Sequence, residues 1–207
     1  MLVGNWMTKD VISIDVNDSM QNAAKIIRKH KIKRLPVMEN GELVGIVTDR
    51  DLKRASASDA TTLEIHELLF LISEIKISDI MTKDPITIPF DYTIDEAAQI
   101  LLEHKLSGAP VVDHKGQIVG VITQTDIFQV LVLFTGVKKA GIQFAFQLED
   151  RPGSIKEVSD IMRNYGCLLV SILSGQDVQP GYRRVYIRVR NCDQERLSAL
   201  EGELKAK

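Results

Sequence analysis

Cysteine, aromatic residues and long apolar runs are all scarce in this chain, and each shortage excludes a class of protein. Two cysteines, Cys167 and Cys192, are too few for a disulfide framework, and neither has the spacing of a metal ligand. We therefore expect both to be small apolar residues in a reducing cytosol. The longest apolar run, from Val130 to Phe134, is far below the ~20 residues that cross a bilayer, so no membrane-spanning segment is predicted.

An excess of charge of one sign is also lacking. The 207 residues carry a formal net charge of -2, with 44% hydrophobic and 26% charged residues, which is the balance of an ordinary globular protein. This balance predicts neither a nucleic-acid partner nor a membrane partner. The N-terminus MLVGNWMTKD has neither the basic segment nor the apolar core of a signal peptide, so a cytoplasmic location is expected.

Sequence motifs of catalysis are missing as well. The chain has no GxSxG, no HExxH, no phosphate-binding GxxxxGK, no GxGxxG that opens a helix, and no Cys-His arrangement. We therefore predict no enzymatic activity, no metal site and no resident cofactor.

What the chain does contain is an internal repeat. The segment WMTKDVISI at Trp6 recurs as IMTKDPITI at Ile80, a shift of 74 residues. The match continues through NAAKIIRKHK and EAAQILLEHK to GELVGIVTDRD and GQIVGVITQTD, where the shift becomes 75. Identity in one order across the whole segment indicates two copies of one structural unit.

Each copy has the pattern β-α-β-β-α. A short alternating strand is followed by an N-cap residue, Ser19 in the first copy and Thr93 in the second. Two apolar runs, 35–38 and 43–47, flank a turn at 39–41 and predict a hairpin, and a short helix from Asp49 closes the unit. Apolar residues recur at helical spacing in both copies: Met20, Ala23, Ala24 and Ile27, and Ile94, Ala97, Ala98 and Leu101.

This pattern resembles the cystathionine β-synthase (CBS) domain, whose units pair into one module. The resemblance covers roughly residues 2–130. It is carried by two GxxTxxD segments, GIVTDRD from Gly45 and GVITQTD from Gly120, each preceded by a Pro-Val strand. Two copies in register are far more specific than one. Between the copies, EIHELLFLISE at 64–74 has the pattern of a buried connecting helix.

The last third of the chain has a different pattern. It reads as a strand, a turn, a helix ended by Gly166, two further strands and a helix after Asp193. This order resembles the ACT domain over 141–207, except that no fourth strand follows. In relatives the turn at Asp150, Arg151, Pro152 and Gly153 binds amino acids, whereas Pro152 and Gly153 also suffice to shape a strand-to-helix turn.

The expected fold class is α+β: tandem CBS repeats that form a pseudo-two-fold module, followed by a ferredoxin-like ACT segment without a clear last strand. The predicted boundaries are 1–60 for the first repeat, 61–135 for the connector and second repeat, and 141–207 for the ACT-like domain. Two CBS units followed by an ACT unit resemble the acetoin-utilisation regulatory protein family, which implies a link to acetoin or carbon metabolism.

The resemblance also implies an adenine nucleotide in each cleft between the repeats. It places the motif Asp on the ribose hydroxyls and the motif Thr near the ribose or phosphate. One site then comprises Ile46, Thr48, Asp51, Lys33 and Arg34 with Leu106, Ser107 and the stretch near Ser78 and Ile80. Its counterpart comprises Val121, Thr123, Asp126, Ser107 and Gly108 with Ile32 and Lys33.

Each assignment has an alternative. Asp51 and Asp126 can instead cap the helix that follows, but a cap explains the carboxylate and not the hydroxyl three residues earlier, so ligand binding is the favoured interpretation. Lys33-Arg34 corresponds to Ser107-Gly108 in the repeat, so only the first site is expected to carry two cations for phosphates. The same two cations also fit the solvated run RKHKIKR.

We therefore expect a non-catalytic sensor that binds AMP, ADP or ATP between its repeats and changes its contacts with an unidentified target protein. A homodimer is expected because amphipathic helices and an unpaired sheet edge favour self-association. Two alternatives stay open: an oligomerisation module with a vestigial cleft, and a binder of S-adenosylmethionine.

Overall fold

The two copies of the repeat fold in the same way in the computed structural model, which describes residues 1–58, 74–192 and 194–205. The chain divides into two compact units, Met1–Ile127 and Phe128–Lys207. The predicted connecting helix falls on residues 64–74, of which all but Glu74 lie outside the described residues, as does Asp193.

The first unit contains both repeats. The elements of the first repeat are β1 (Ile14–Asp15), α1 (Met20–His30), β2 (Arg34–Glu39), β3 (Glu42–Thr48) and α2 (Asp49–Ser58). Those of the second are α3 (Ile77–Ile80), β4 (Thr82–Lys83), β5 (Ile88–Pro89), α4 (Ile94–Glu103), β6 (Gly108–Val112), β7 (Ile118–Thr123) and α5 (Gln124–Phe134), which continues into the second unit.

Local sequence signals set the ends of these elements, as predicted. Ser19 Oγ accepts from the Asn22 amide at 3.2 Å, and Thr93 forms a reciprocal capping box with Glu96. In the first hairpin, Asn40 and Gly41 both have positive φ, at 49° and 87°, which is the backbone of a two-residue turn that matches the twist of the strands. The predicted N-caps and hairpin are confirmed.

An exchange of N-terminal segments joins the two repeats. The segment before the second repeat, the second arm (75–83), adds β4 to the first sheet, whose order is β1-β2-β3-β4. The segment before the first repeat, the first arm (1–8), runs beside the other sheet, β5-β6-β7, and pairs Thr8 with Val121 through two hydrogen bonds of 2.9 and 3.0 Å. Each repeat therefore completes the sheet of the other.

The motif glycines make this exchange possible. A side chain at Gly45 would lie 3.1 Å from the Thr82 carbonyl oxygen of the second arm. At Gly120 it would lie 3.0 Å from the Thr8 carbonyl oxygen of the first arm. Glycine at the first position of GxxTxxD thus allows the backbone of the opposite repeat to approach the central strand.

The second unit holds one three-stranded antiparallel sheet with helices on its apolar face. Its elements are β8 (Ile142–Glu149), α6 (Ser154–Asn164), β9 (Leu168–Gln176), β10 (Tyr182–Arg190) and α7 (Leu197–Lys205), and the strand order is β8-β10-β9. Val185, Ile187 and Val189 of β10 are fully buried and pack in one core with residues of both helices. The antiparallel sheet agrees with the predicted α+β class, and the assignment to the ACT family stays a prediction.

Cys167 and Cys192 form a disulfide, which corrects the expectation of two unlinked cysteines. They are 25 residues apart in sequence, but the β10–β9 register pairs Arg190 with Leu168 and so brings the ends of the two strands together. Both cysteines are buried, as expected. Sequence spacing gave no sign of the bond because strand register, and not separation along the chain, sets the distance.

No helix in 1–58, 74–192 and 194–205 is long and apolar enough to cross a membrane.

Breaking the disulfide should destabilise the second unit and leave the first unit unchanged. Closing a loop of 25 residues stabilises the native state by about 3.5 kcal/mol in the chain-entropy description. We expect the urea midpoint of the second unit to fall on reduction, measured by amide hydrogen exchange of β9 and β10. Trp6, the only tryptophan, reports on the first unit and serves as the control. Two reactive thiols in denatured protein purified without reductant would contradict the disulfide.

Candidate functional site

Two clefts lie between the repeats, and equivalent residues of the repeat line them. The first cleft has a volume of about 840 Å³ and is walled by the start of α2, the second arm and the α4–β6 connection. The second cleft has a volume of about 400 Å³ and is walled by the start of α5, the segment that follows the first arm, and the α1–β2 connection. The pseudo-two-fold relation of the repeats thus produces a pair of related sites.

Most of the sequence-predicted residues line these clefts. The first cleft includes Ile46, Thr48, Asp51, Lys33, Arg34, Leu106 and Ser107, together with Gly108, which was assigned to the second site. The second includes Val121, Thr123, Ser107, Ile32 and Lys33, whereas Asp126 and Gly108 are not among its described lining residues.

The contribution of the arms was placed too early in the sequence. Ser78 and Ile80 lie in α3 and are not among the described residues that line either cleft. Thr82, Asp84, Pro85 and Ile86 line the first cleft, and Thr8, Asp10, Val11 and Ile12 occupy the same positions of the repeat in the second. The repeat alignment contains this signal, because the two sets are related by the same 74-residue shift.

The motif Thr and Asp form a reciprocal cap at the start of the closing helix. Asp51 Oδ2 accepts from the Thr48 amide at 2.9 Å and from Thr48 Oγ1 at 2.6 Å, while Thr48 Oγ1 accepts from the Asp51 amide at 3.3 Å. Thr123 and Asp126 make the same bonds at 2.8, 2.6 and 3.3 Å. This is a capping box with Asp at its third position.

The capping box overturns one argument made from sequence. The hydroxyl three residues before each Asp is part of the cap, so a cap alone explains both residues of the motif. The case for ligand binding therefore depends on the carboxylate oxygen that makes no bond in the cap, which is Oδ1 in Asp51. Asp51 Oδ1 lies 3.4 Å from Arg54 Nη2, and the Asp51 side chain keeps 14% of its surface exposed on the wall of the first cleft.

Arg34 extends from the first repeat onto the second. Its Nη2 donates to Ser107 Oγ at 2.6 Å. A side chain at Gly108 would lie 2.8 Å from the Arg34 guanidinium carbon, so the guanidinium occupies space that only glycine leaves open. Burial lowers the pKa of Arg34, and the carboxylates of Asp49 and Asp126 oppose that shift.

The shared position of Arg34 corrects the expectation that only the first site carries two cations. Lys33, Arg34 and Ser107 line both clefts, because the pseudo-two-fold axis passes between 33–34 and 107–108. Sequence comparison of the repeats showed the missing cations of the second repeat but could not show that a long side chain crosses the axis.

The predicted effector turn of the second unit is filled by its own ion pairs. Arg151 donates to Glu149 at 2.8 Å and to both carboxylate oxygens of Glu157 at 2.7 and 3.0 Å, and these bonds raise the pKa of Arg151. Asp150 lies 2.9 Å from Arg183 Nε, and Gly153 adopts a φ of 91° before α6. The 520 Å³ groove of this unit runs between β8 and α7 and is lined by none of 150–153 among its described residues.

The described residues contain no group of three or more His, Cys, Asp or Glu side chains that could hold a metal ion.

Comparison with known proteins identifies the repeat. The family model described as CBS domain matches residues 3–58 and 77–133. A CBS domain-containing protein from Dictyostelium discoideum is 34% identical over 133 residues, which is 64% of this chain and 92% of that protein. An inosine-5′-monophosphate dehydrogenase from Korarchaeum cryptofilum is 37% identical over 124 residues, 60% of this chain but only 23% of that enzyme.

Solved structures agree with this result. A CBS domain pair in complex with 5′-methylthioadenosine and S-adenosyl-L-methionine is 34% identical, with a TM-score of 0.55, over 67% of this chain and 98% of that one. The CBS-pair protein CBSX2 of Arabidopsis thaliana, solved with AMP, is 26% identical with a TM-score of 0.54, over the same shares of the two chains. Such pairs are typically regulatory, and in enzymes that contain them they are accessory domains.

The capping role of the motif can be measured without a ligand. Asp51→Ala and Asp126→Ala should each lower the free energy of unfolding by about 1 kcal/mol, because each removes both acceptor bonds of a helix cap. Urea unfolding followed by Trp6 fluorescence measures the loss. Asp10→Ala is the matched control, since it removes an exposed carboxylate that lines the second cleft outside any helix. Unchanged stability in both motif variants would show that the caps contribute nothing.

Proposed function

The chain belongs to the CBS domain family, and on that premise we propose that its first unit is a regulatory module that binds adenine nucleotides in the two clefts between its repeats. One observation carries the proposal: each cleft places the start of the closing helix of one repeat, with its capping threonine, opposite the α–β connection of the other, and the first cleft includes the capping Asp51 as well. Neither repeat offers such an enclosure by itself.

The lining of the first cleft suits the three parts of a nucleotide. Asp51 provides a carboxylate oxygen, not used in the cap, for the ribose hydroxyls. Ile46, Ile86 and Leu106 provide apolar surface for the base. Lys33 and Arg34 provide donors for a phosphate. In the second cleft Val121, Ile12 and Ile32 provide the corresponding apolar surface. By the repeat we assign Asp126, the equivalent of Asp51, to the ribose there, although it is not among the described lining residues.

Two related pairs were solved with adenosine compounds, one with AMP and one with 5′-methylthioadenosine and S-adenosyl-L-methionine. These three ligands share the adenosine moiety and differ in charge. The cation pair at 33–34 favours a phosphorylated ligand for this chain, so AMP, ADP or ATP is proposed and S-adenosylmethionine is the alternative.

The module acts on a separate target protein rather than on a substrate. We propose a cytoplasmic location, in which the Cys167–Cys192 bond would be one of the uncommon disulfides of the reducing cytosol. The link to acetoin or carbon metabolism, and the binding of an effector at 150–153, stay predictions that rest on the family resemblance.

A second candidate function is oligomerisation, and the second unit gives the observation in its favour. Apolar side chains of β9 are 40–49% exposed: Leu168, Leu169, Ile172 and Leu173. Because β9 is an edge strand of its sheet and these residues alternate between its two faces, it is an exposed apolar edge that favours pairing with another chain. A homodimer is compatible with nucleotide binding. If the clefts bind no nucleotide, oligomerisation would be the only function of the module.

Adenine nucleotides should raise the melting temperature of the protein more than guanine nucleotides do. A ligand at a hundredfold excess over its Kd stabilises the native state by about 2.7 kcal/mol, which corresponds to roughly 5–11 °C for a chain of this size. The measurement is thermal unfolding with AMP, ATP, S-adenosylmethionine or GMP. Asp51→Asn is the test variant, because the amide oxygen preserves the cap while the charge that favours ribose is lost. No shift with any adenosine compound would reject nucleotide binding and leave oligomerisation.

The dimer is tested separately. Sedimentation equilibrium should give twice the 23.2 kDa mass of one chain at micromolar concentration. Leu173→Glu should give a monomer because it places a charge on the apolar surface of β9. Val178→Glu is the matched control, since Val178 is 90% exposed in the β9–β10 connection. A compact monomer for the unmodified chain would end this proposal.

A further inference from the structure

We propose that the two clefts share one phosphate-binding cation pair, Lys33 and Arg34, so that a phosphorylated nucleotide in one cleft weakens phosphate binding in the other, while uncharged nucleosides bind both clefts independently. The inference rests on the proposed nucleotide function and deepens it. It states which ligands compete and which residue couples the two sites.

The charges that line the clefts carry the argument. Apart from the shared pair, the first cleft has three cations, Arg50, Lys53 and Lys105, and three carboxylates, Asp49, Asp51 and Asp84. Apart from the shared pair, the second cleft has one of each sign, Lys31 and Asp10. Among these described lining residues each cleft is therefore neutral apart from the shared pair, and Asp126, which we assign to the ribose of the second cleft, adds a negative charge there. Lys33 and Arg34 supply the entire positive excess of both.

The position of Arg34 prevents it from serving two phosphates at once. Its guanidinium is held by Ser107 Oγ at 2.6 Å, lies over Gly108, and interacts electrostatically with Asp49 of the first repeat and Asp126 of the second. A phosphate in either cleft attracts the guanidinium toward that cleft and away from the other. The planar fork of arginine binds one phosphate with two parallel bonds, and no second fork stands at position 108.

The charge of the ligand completes the argument. A nucleoside monophosphate carries a charge of about -2 near pH 7, which the shared pair neutralises once. A second phosphate then enters a cleft without net positive charge beside a neutralised pair, and it lacks the bidentate bond with Arg34. Because coupling between sites is reciprocal, the weakening is the same whichever cleft fills first. Adenosine carries no phosphate, so its two binding events do not compete.

A difference in affinity between the two clefts must be distinguished from coupling between them, and two variants make this distinction. Ile46→Trp fills the first cleft, and Val121→Trp fills the second at the equivalent position of the repeat. Each variant retains one open cleft, whose affinity for AMP and adenosine is measured by isothermal titration calorimetry. These affinities give the values expected for two uncoupled sites.

In the unmodified chain the second AMP should bind at least about tenfold more weakly than AMP binds to the single-cleft variant of lower affinity. This difference is the expected effect of losing one charge-assisted bond. The second adenosine should bind with the affinity of the matching single-cleft variant. If the second AMP also binds with the affinity of the matching single-cleft variant, the clefts are uncoupled. The inference then fails while nucleotide binding stands. If neither AMP nor adenosine binds any form, the proposed function fails instead.

Arg34→Met tests the sharing itself. It should weaken AMP about tenfold in both single-cleft backgrounds and leave adenosine unchanged, which also shows that the variant folds. Lys105→Met is the matched control, because Lys105 lines the first cleft alone and should affect AMP only where that cleft is open. A loss confined to one background in Arg34→Met would overturn the sharing.

Ser107→Lys tests the inference by gain of function. It places a third cation at the position equivalent to Lys33, on the wall of both clefts. The gap between the first and second AMP affinities should narrow, and adenosine should bind as before. An unchanged gap would show that scarcity of cations is not what separates the two events.

Discussion

Everything in the first unit depends on the exchange of arms between the two repeats. Each arm runs along the central strand of the opposite repeat, and each close approach requires a glycine, Gly45 for the second arm and Gly120 for the first. A side chain at either glycine would meet a backbone carbonyl oxygen, which cannot turn away as a flexible side chain can. The arms and the residues that follow them also form one wall of each cleft, so the contact that holds the repeats together is the one that creates the sites.

The GxxTxxD motif serves structure before it serves a ligand. Its glycine admits the arm, its threonine and one oxygen of its aspartate cap the closing helix, and only the second carboxylate oxygen is left for a ribose. This double use of the motif has a physical reason. The start of a helix has unpaired amides that must be capped, and the same place offers donors and positive potential to a ligand. In the proposed function, the residues that cap the closing helix are therefore also the residues that bind the ligand.

The two repeats differ at the place where they meet. Arg34 stands where the other repeat has Gly108, and the small residue leaves the space into which the large one extends. Two identical arginines at the axis would compete for this space and repel one another. Arg34 and Gly108 are therefore complementary, and the Arg34 side chain lines both clefts. In a symmetrical dimer of single repeats, each cleft would have its own arginine.

The repeat, the caps, the hairpin turns and most of the cleft lining can be predicted from the amino-acid sequence, because they depend on spacing and on residue types within a few positions. Three further features depend on how distant parts of the chain pair. The Cys167–Cys192 bond depends on the register of β9 and β10, the shared position of Arg34 depends on where the pseudo-two-fold axis passes, and the contribution of the arms depends on which strand each arm joins. Each of these is a distance between residues far apart in the chain, and local pattern carries no information about such distances until the strands are paired.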